Sequence, residues 1–139
     1  MNLEFVEIDS SPLAWRWNSP THGDLSLEEL SQIHPLSERA ATHLHETLKG
    51  YSFEDQIKFD ASGKEEAVSH WLEDSLPREE KEIILLWEPT VGILTKRELF
   101  IRKWDDFCYP SSDDIDIFPQ SNNFLLRYSH FEVFEFSSR

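Results

Sequence analysis

The longest uninterrupted apolar run in the chain is Ile83-Ile84-Leu85-Leu86-Trp87. It has the length of a strand and falls far short of the ~20 residues needed to cross a bilayer. A Glu-Pro-Thr turn follows, and Val91-Gly92-Ile93-Leu94 resumes the apolar pattern, which predicts two antiparallel strands. Whatever else the chain forms must shelter this hairpin from water.

The flanking segments supply helices for that purpose. Ser26 with Glu29 makes a capping box, so a short helix is expected from there to about Ile33 or His34, stopped by Pro35. Ser37 can cap the next helix, over about 37–49. Its Leu36, Ala40, Leu44 and Leu48 recur every four residues, and Gly50 stands where a left-handed C-cap would fall. Within 51–82 the one regular element expected is a helix opened by Ser62 and Glu65, with Ala67, Val68, Trp71 and Leu72 inward and Pro77 after it. Thr95 with Glu98 suggests a third capping box, and Leu99, Phe100, Lys103, Trp104 and Phe107 continue a helical period. Strands are expected over 3–8, where an extended arm is the alternative, and over 115–118, 124–128 and 131–136. The layout is α+β: N-terminal helices packed on a mostly antiparallel C-terminal sheet with one inserted helix. A length of 139 residues suits a single domain, 1–139, that needs no metal or disulfide to hold its core.

Charge narrows the range of partners. With 27 acidic and 13 basic residues the net charge is -14, which repels a phosphate backbone and attracts a basic protein. Eighteen aromatic residues argue for a folded chain despite that charge. The excess is uneven, at -6 over 51–80 and -3 over 81–139. Lys96, Arg97, Arg102 and Lys103 would form a positive pole if their helix turns them outward. The first residues carry three acids and no base before Arg16, so no export signal is expected, and the lone Cys108 fits a reducing compartment. The cytoplasm is the expected location.

No motif assigns a chemistry. The histidines are His22, His34, His43, His45, His70 and His130, and the closest pair, His43 and His45, stands about 200° apart round a helix, so no metal ligation and no cofactor is expected. Cys108 follows the end of a helix in an acidic segment, between Phe107 and Tyr109, and reads as a small core residue rather than a nucleophile. Asp105-Asp106 and Asp113-Asp114-x-Asp116 lack the central glycine and closing glutamate of a calcium loop. A small hydrolase would have to draw on Asp113, Asp116, Tyr128 and His130, the one cluster with suitable groups.

Trp15-x-Trp17 followed by Leu27-Glu-Glu-Leu-x-x-Ile-His-Pro-Leu-Ser-Glu-Arg-Ala40, and Trp104-Asp-Asp-Phe-Cys-Tyr-Pro-Ser-Ser-Asp-Asp114 with the aromatic strands after it, resemble a group of short bacterial proteins. Small acidic chains of this kind resemble the immunity proteins of polymorphic and contact-dependent growth-inhibition toxin systems, and more loosely the acidic SMI1/KNR4-like superfamily. The resemblance implies a protein that binds a cognate toxin domain and occludes its active site; with no catalytic motif in the chain no enzyme is expected, and a monomer is favoured, with the oligomeric state left open. A basic nuclease is the expected toxin, because such enzymes bind phosphate backbones. The alternative is a regulatory or structural domain that binds another protein. Expected interface groups are Asp113, Asp114 and Asp116, with Glu65, Glu66, Glu73 and Asp74 as a second patch that an exposed Trp71 or Trp15 would strengthen.

Overall fold

A computed structural model describes residues 3–19, 25–51 and 54–138. The expected hairpin is its centre. Strands β3 (Glu82–Glu88) and β4 (Val91–Lys96) pair from Glu82 opposite Lys96 to Leu86 opposite Gly92, with a register shift between Leu86 and Glu88. Beside β3 lie β5 (Ile115–Phe118), β6 (Phe124–Ser129) and β7 (Val133–Ser138), and all neighbours are antiparallel. Two further strands come from the N-terminal half: β1 (His34–Pro35) on β4 and β2 (Glu54–Asp60) on β7. The seven-stranded order is β1-β4-β3-β5-β6-β7-β2. The fold is α+β, and among the described residues no helix is long and apolar enough to cross a membrane.

Helices cover both faces of this sheet, which explains why the β3 run does not alternate. Side chains of successive strand residues point to opposite faces, so a run buried on both must be apolar throughout. Ile83 and Leu85 pack with α4 (Glu65–Ser75), α5 (Arg97–Arg102) and Trp17 of α1 (Trp15–Asn18). Ile84 and Leu86 pack with Ala40, Ala41, Leu44 and Leu48 of α3 (Glu38–Lys49).

Packing within the hairpin, where Leu86 of β3 lies over its cross-strand partner, requires Gly92. A Cβ there would overlap the Leu86 side chain, stand 2.7 Å from the Leu85 carbonyl oxygen and meet Leu36 at 3.3 Å. The carbonyl belongs to the ladder and cannot move alone. Gly92→Ala is expected to cost about 1–3 kcal/mol, read as a lower urea midpoint at unchanged slope.

Local signals fared unequally. In α2 (Leu27–Leu30) the capping box forms in full: Ser26 Oγ accepts the Glu29 N–H at 3.1 Å, and Glu29 Oε1 accepts the Ser26 N–H at 2.9 Å. The helix stops early because His34 and Pro35 join the sheet. Ser37 caps α3 through the Ala40 N–H, while Gly50 ends it at φ -79 rather than in the left-handed region. Neither other box forms. The Ser62 N–H donates to Asp60 Oδ1 at 3.0 Å in a turn out of β2, and Lys64 stands at the N-cap of α4. Thr95 stays in β4, and its hydroxyl donates to the Gln32 carbonyl. Ala67 faces solvent, so the inner face of α4 is Val68, Leu72 and half-buried Trp71. Residues 3–7 form an extended arm with one isolated bridge, Phe5 to Leu36, and Ile8 opens a 3-10 turn, Ile8–Ser10. The last strand begins at Val133 because His130 to Glu132 form its turn.

Candidate protein-binding face

Two adjacent carboxylates after the Phe107–Tyr109 cluster have opposite fates. Asp113 is 5% exposed, and its Oδ2 and Oδ1 accept from Arg16 Nη1 and Nη2 at 2.6 and 2.9 Å. The Tyr109 N–H at 2.8 Å and the Ser112 hydroxyl at 3.2 Å also donate to it. Burial alone would raise the Asp113 carboxyl, but Arg16 and the Tyr109 amide outweigh it and hold it below the ordinary carboxylate value. Asp113 therefore fastens α1 to the body and is withdrawn from the set of expected surface groups.

Asp114 is exposed. Its Oδ1 accepts the His130 N–H and lies 3.0 Å from His130 Nδ1, two contacts that lower its carboxyl. Asp116 sits on β5 opposite Arg127 of β6, which stands opposite Glu135 of β7, itself opposite Lys58 of β2. Arg127 Nε donates to Asp116 Oδ1 at 3.0 Å, and Lys58 Nζ lies 3.9 Å from Glu135. This row of alternating charge crosses four strands on the face that α3 shares but does not fully cover. Between the row and α3 lies an open groove of about 350 Å³, lined by His45, Trp87, Glu88, Asp114, Asp116, Arg127 and Glu135 among others. A smaller hollow of about 160 Å³ continues it past Arg127 and Glu135 to Tyr51 and Gln56. Glu88, Glu135 and Arg127 escaped the sequence reading because cross-strand pairing, not chain proximity, assembles them.

The second acidic patch lies on the opposite side of the sheet, on α4. Glu65, Glu66 and Asp74 are exposed there. Glu73 instead engages Arg97, which lowers its carboxyl, and Trp71 stacks on Phe59 with centroids 5.0 Å apart. Arg97 is itself 1% exposed. It donates to the Leu76 and Glu73 carbonyls at the end of α4 and pairs with Glu98. Arg102 pairs with Glu29 at 3.0 Å. The condition for a positive pole, that this segment turn all four bases outward, is not met: Arg97 is a buried cap and Arg102 is paired.

The hydrolase cluster does not assemble. Tyr128 is buried on the α4 side of the sheet, while its neighbour Arg127 and the paired Asp116 lie on the α3 side. Burial pushes the Tyr128 hydroxyl far above its ordinary value. Asp113 is held by Arg16, and His130 by Asp114. Cys108 is a core residue whose thiol is raised first by burial and then by Asp113. His22 lies outside the described residues. Among the described residues, no three His, Cys, Asp or Glu side chains are grouped to hold a metal ion. Neither a family model, nor a curated protein, nor a solved structure matches the chain.

Proposed function

We propose that this protein is an immunity-type inhibitor acting in the cytoplasm: it binds a basic toxin domain, a nuclease by preference, and occludes its active site. The observation that carries the reading is the open groove on the α3 side of the sheet, where Glu88, Asp114, Asp116 and Glu135 gather on a chain of net charge -14. A nuclease surface is basic because it must hold phosphates, and the same Lys and Arg side chains can meet these carboxylates. The chain's overall field would speed encounter with such a domain. A groove of about 350 Å³ receives side chains rather than a domain, so its rim must supply the rest of the ~800 Å² that a stable interface buries per partner.

The test is co-expression with the toxin domain encoded by the adjoining gene. Wild type is expected to restore growth. Asp114→Asn combined with Asp116→Asn is expected to slow association about 10-fold or more and to flatten its salt dependence. Neutralising Glu65 and Glu66 on the far side should change little. No protection by wild type, or equal loss from both pairs of substitutions, defeats the proposal.

A further inference from the structure

The β6–β7 reversal presents the second most exposed large apolar side chain among the described residues. Phe131 is 72% exposed, a value only Leu27 exceeds. A single exposed apolar residue needs no explanation in itself. What sets this one apart is how firmly its backbone is held. The Glu132 N–H closes the turn on the Ser129 carbonyl at 2.9 Å, with Glu132 at φ 63. The Glu132 carbonyl accepts the Ala61 N–H at 2.8 Å, tying the turn to the end of β2. The His130 carbonyl accepts the Ser111 N–H at 3.1 Å, tying it to the loop before β5. Asp114 holds the His130 amide and ring, and that ring lies 4.1 Å from the Phe131 ring, centroid to centroid. An apolar tip on an ordered turn loses little conformational freedom when a partner covers it, which is the property of an interface anchor.

The surroundings indicate what would cover it. Asp114 is exposed and bonded to His130, Glu132 follows Phe131, and exposed Asp60 stands opposite Val133 in the register. Cross-strand order places this tip at the end of the sheet where Ser129 and Val133 also line the acidic groove. We infer that the β6–β7 turn is a preformed anchor, with Phe131 entering an apolar pocket of a protein partner and Asp60, Asp114 and Glu132 meeting that pocket's Lys or Arg rim. The inference rests on the reading of this face as a site for a basic protein, and it names the side chain that carries affinity there. A second copy of this chain is the poorer occupant, because its own acidic tip would be repelled.

Panning the folded protein against a random 12-residue phage-displayed peptide library tests it independently of any toxin. The expected clones combine an aliphatic or aromatic cluster with Lys or Arg. Their synthetic peptides should lose about 30-fold or more in affinity for Phe131→Ala, regain most of it with Phe131→Trp, and bind Glu66→Gln as wild type. Because Phe131 is exposed, the Ala variant should melt with wild type, so lost binding is not lost fold. Clones that ignore Phe131→Ala, or no enrichment over an unrelated acidic protein, overturn the inference. Growth rescue separates the two proposals. Rescue by wild type and Phe131→Ala alike overturns the anchor and leaves the immunity reading standing. Peptides dependent on Phe131, without rescue by wild type, do the reverse.

Discussion

Asp113→Ala is expected to lower the unfolding free energy by about 3–5 kcal/mol, the usual cost of removing one partner of a buried ion pair. For a chain of this length that is a fall of roughly 10–20 °C in melting temperature, measurable by circular dichroism. The size follows from what remains behind. Arg16 is 5% exposed, and its guanidinium lies 4.1 Å from the Tyr109 ring centroid, with Trp15 and Trp87 at 5.4 and 5.9 Å. Among the described residues its Nε has no hydrogen-bond partner, and without Asp113 the charge would keep those three rings and, as hydrogen-bond acceptor among the described residues, the Phe107 carbonyl at 3.4 Å. Replacing the pair together, as Arg16→Met with Asp113→Leu, should recover most of the loss, because apolar isosteres remove the charge and its desolvation at once.

The same pair sets an acid limit. Asp113 is held below its ordinary value of 3.8, so the folded state binds this proton less readily than the unfolded chain does. Its contribution is complete above the unfolded value and is lost as pH falls through the lower folded one. Wild type should therefore lose stability below about pH 4 more steeply than Asp113→Asn, in parallel acid titrations of the urea midpoint.

Phe134→Ala is expected to cost a similar 3–5 kcal/mol, from lost transfer energy plus the cavity left behind. Phe134 is fully buried, with ring centroids 4.9 Å from Tyr128, 5.8 Å from Trp104 and 5.9 Å from Trp71. Two of these rings are held elsewhere and cannot move in to fill that space: Trp71 stacks on Phe59, and Trp104 Nε1 donates to the Glu65 carbonyl. The fluorescence of Trp71 and Trp104 should shift with the urea midpoint. Phe131→Ala, three residues earlier, should stay within about 0.5 kcal/mol of wild type. One Phe in the turn serves the surface and one in the strand serves the core.

That pair shows where sequence reading ended. Phe131-Glu-Val-Phe-Glu-Phe has strand composition throughout, and nothing in it marks Phe131 as the tip of a turn. The turn is set by Glu132 at positive φ and by bonds from Ala61 and Ser111, each far away in sequence. Strand β2 went unread for a related reason. Gln56-Ile57-Lys58-Phe59 does alternate, yet an edge strand amid many acids carries a weak signal until β7 pairs with it. Capping boxes divide along the same line. Ser26 forms its box on a surface turn, where Glu29 serves the box through Oε1 and Arg102 through Oε2, whereas Ser62 and Thr95 are claimed by a turn and by the sheet. Asp113 and Arg97 resembled their neighbours as charges in acidic and basic runs, and only burial set them apart.

The sequence by itself determined the α+β class, the central hairpin, the α3 helix and the acidic character, because apolar period and net charge are local or additive properties. Tertiary structure alone decided which carboxylates are braces and which are surface. An acid's role depends on the cation that long-range packing brings to it: Arg16 reaches Asp113 across 97 positions and leaves Asp114 in water beside His130.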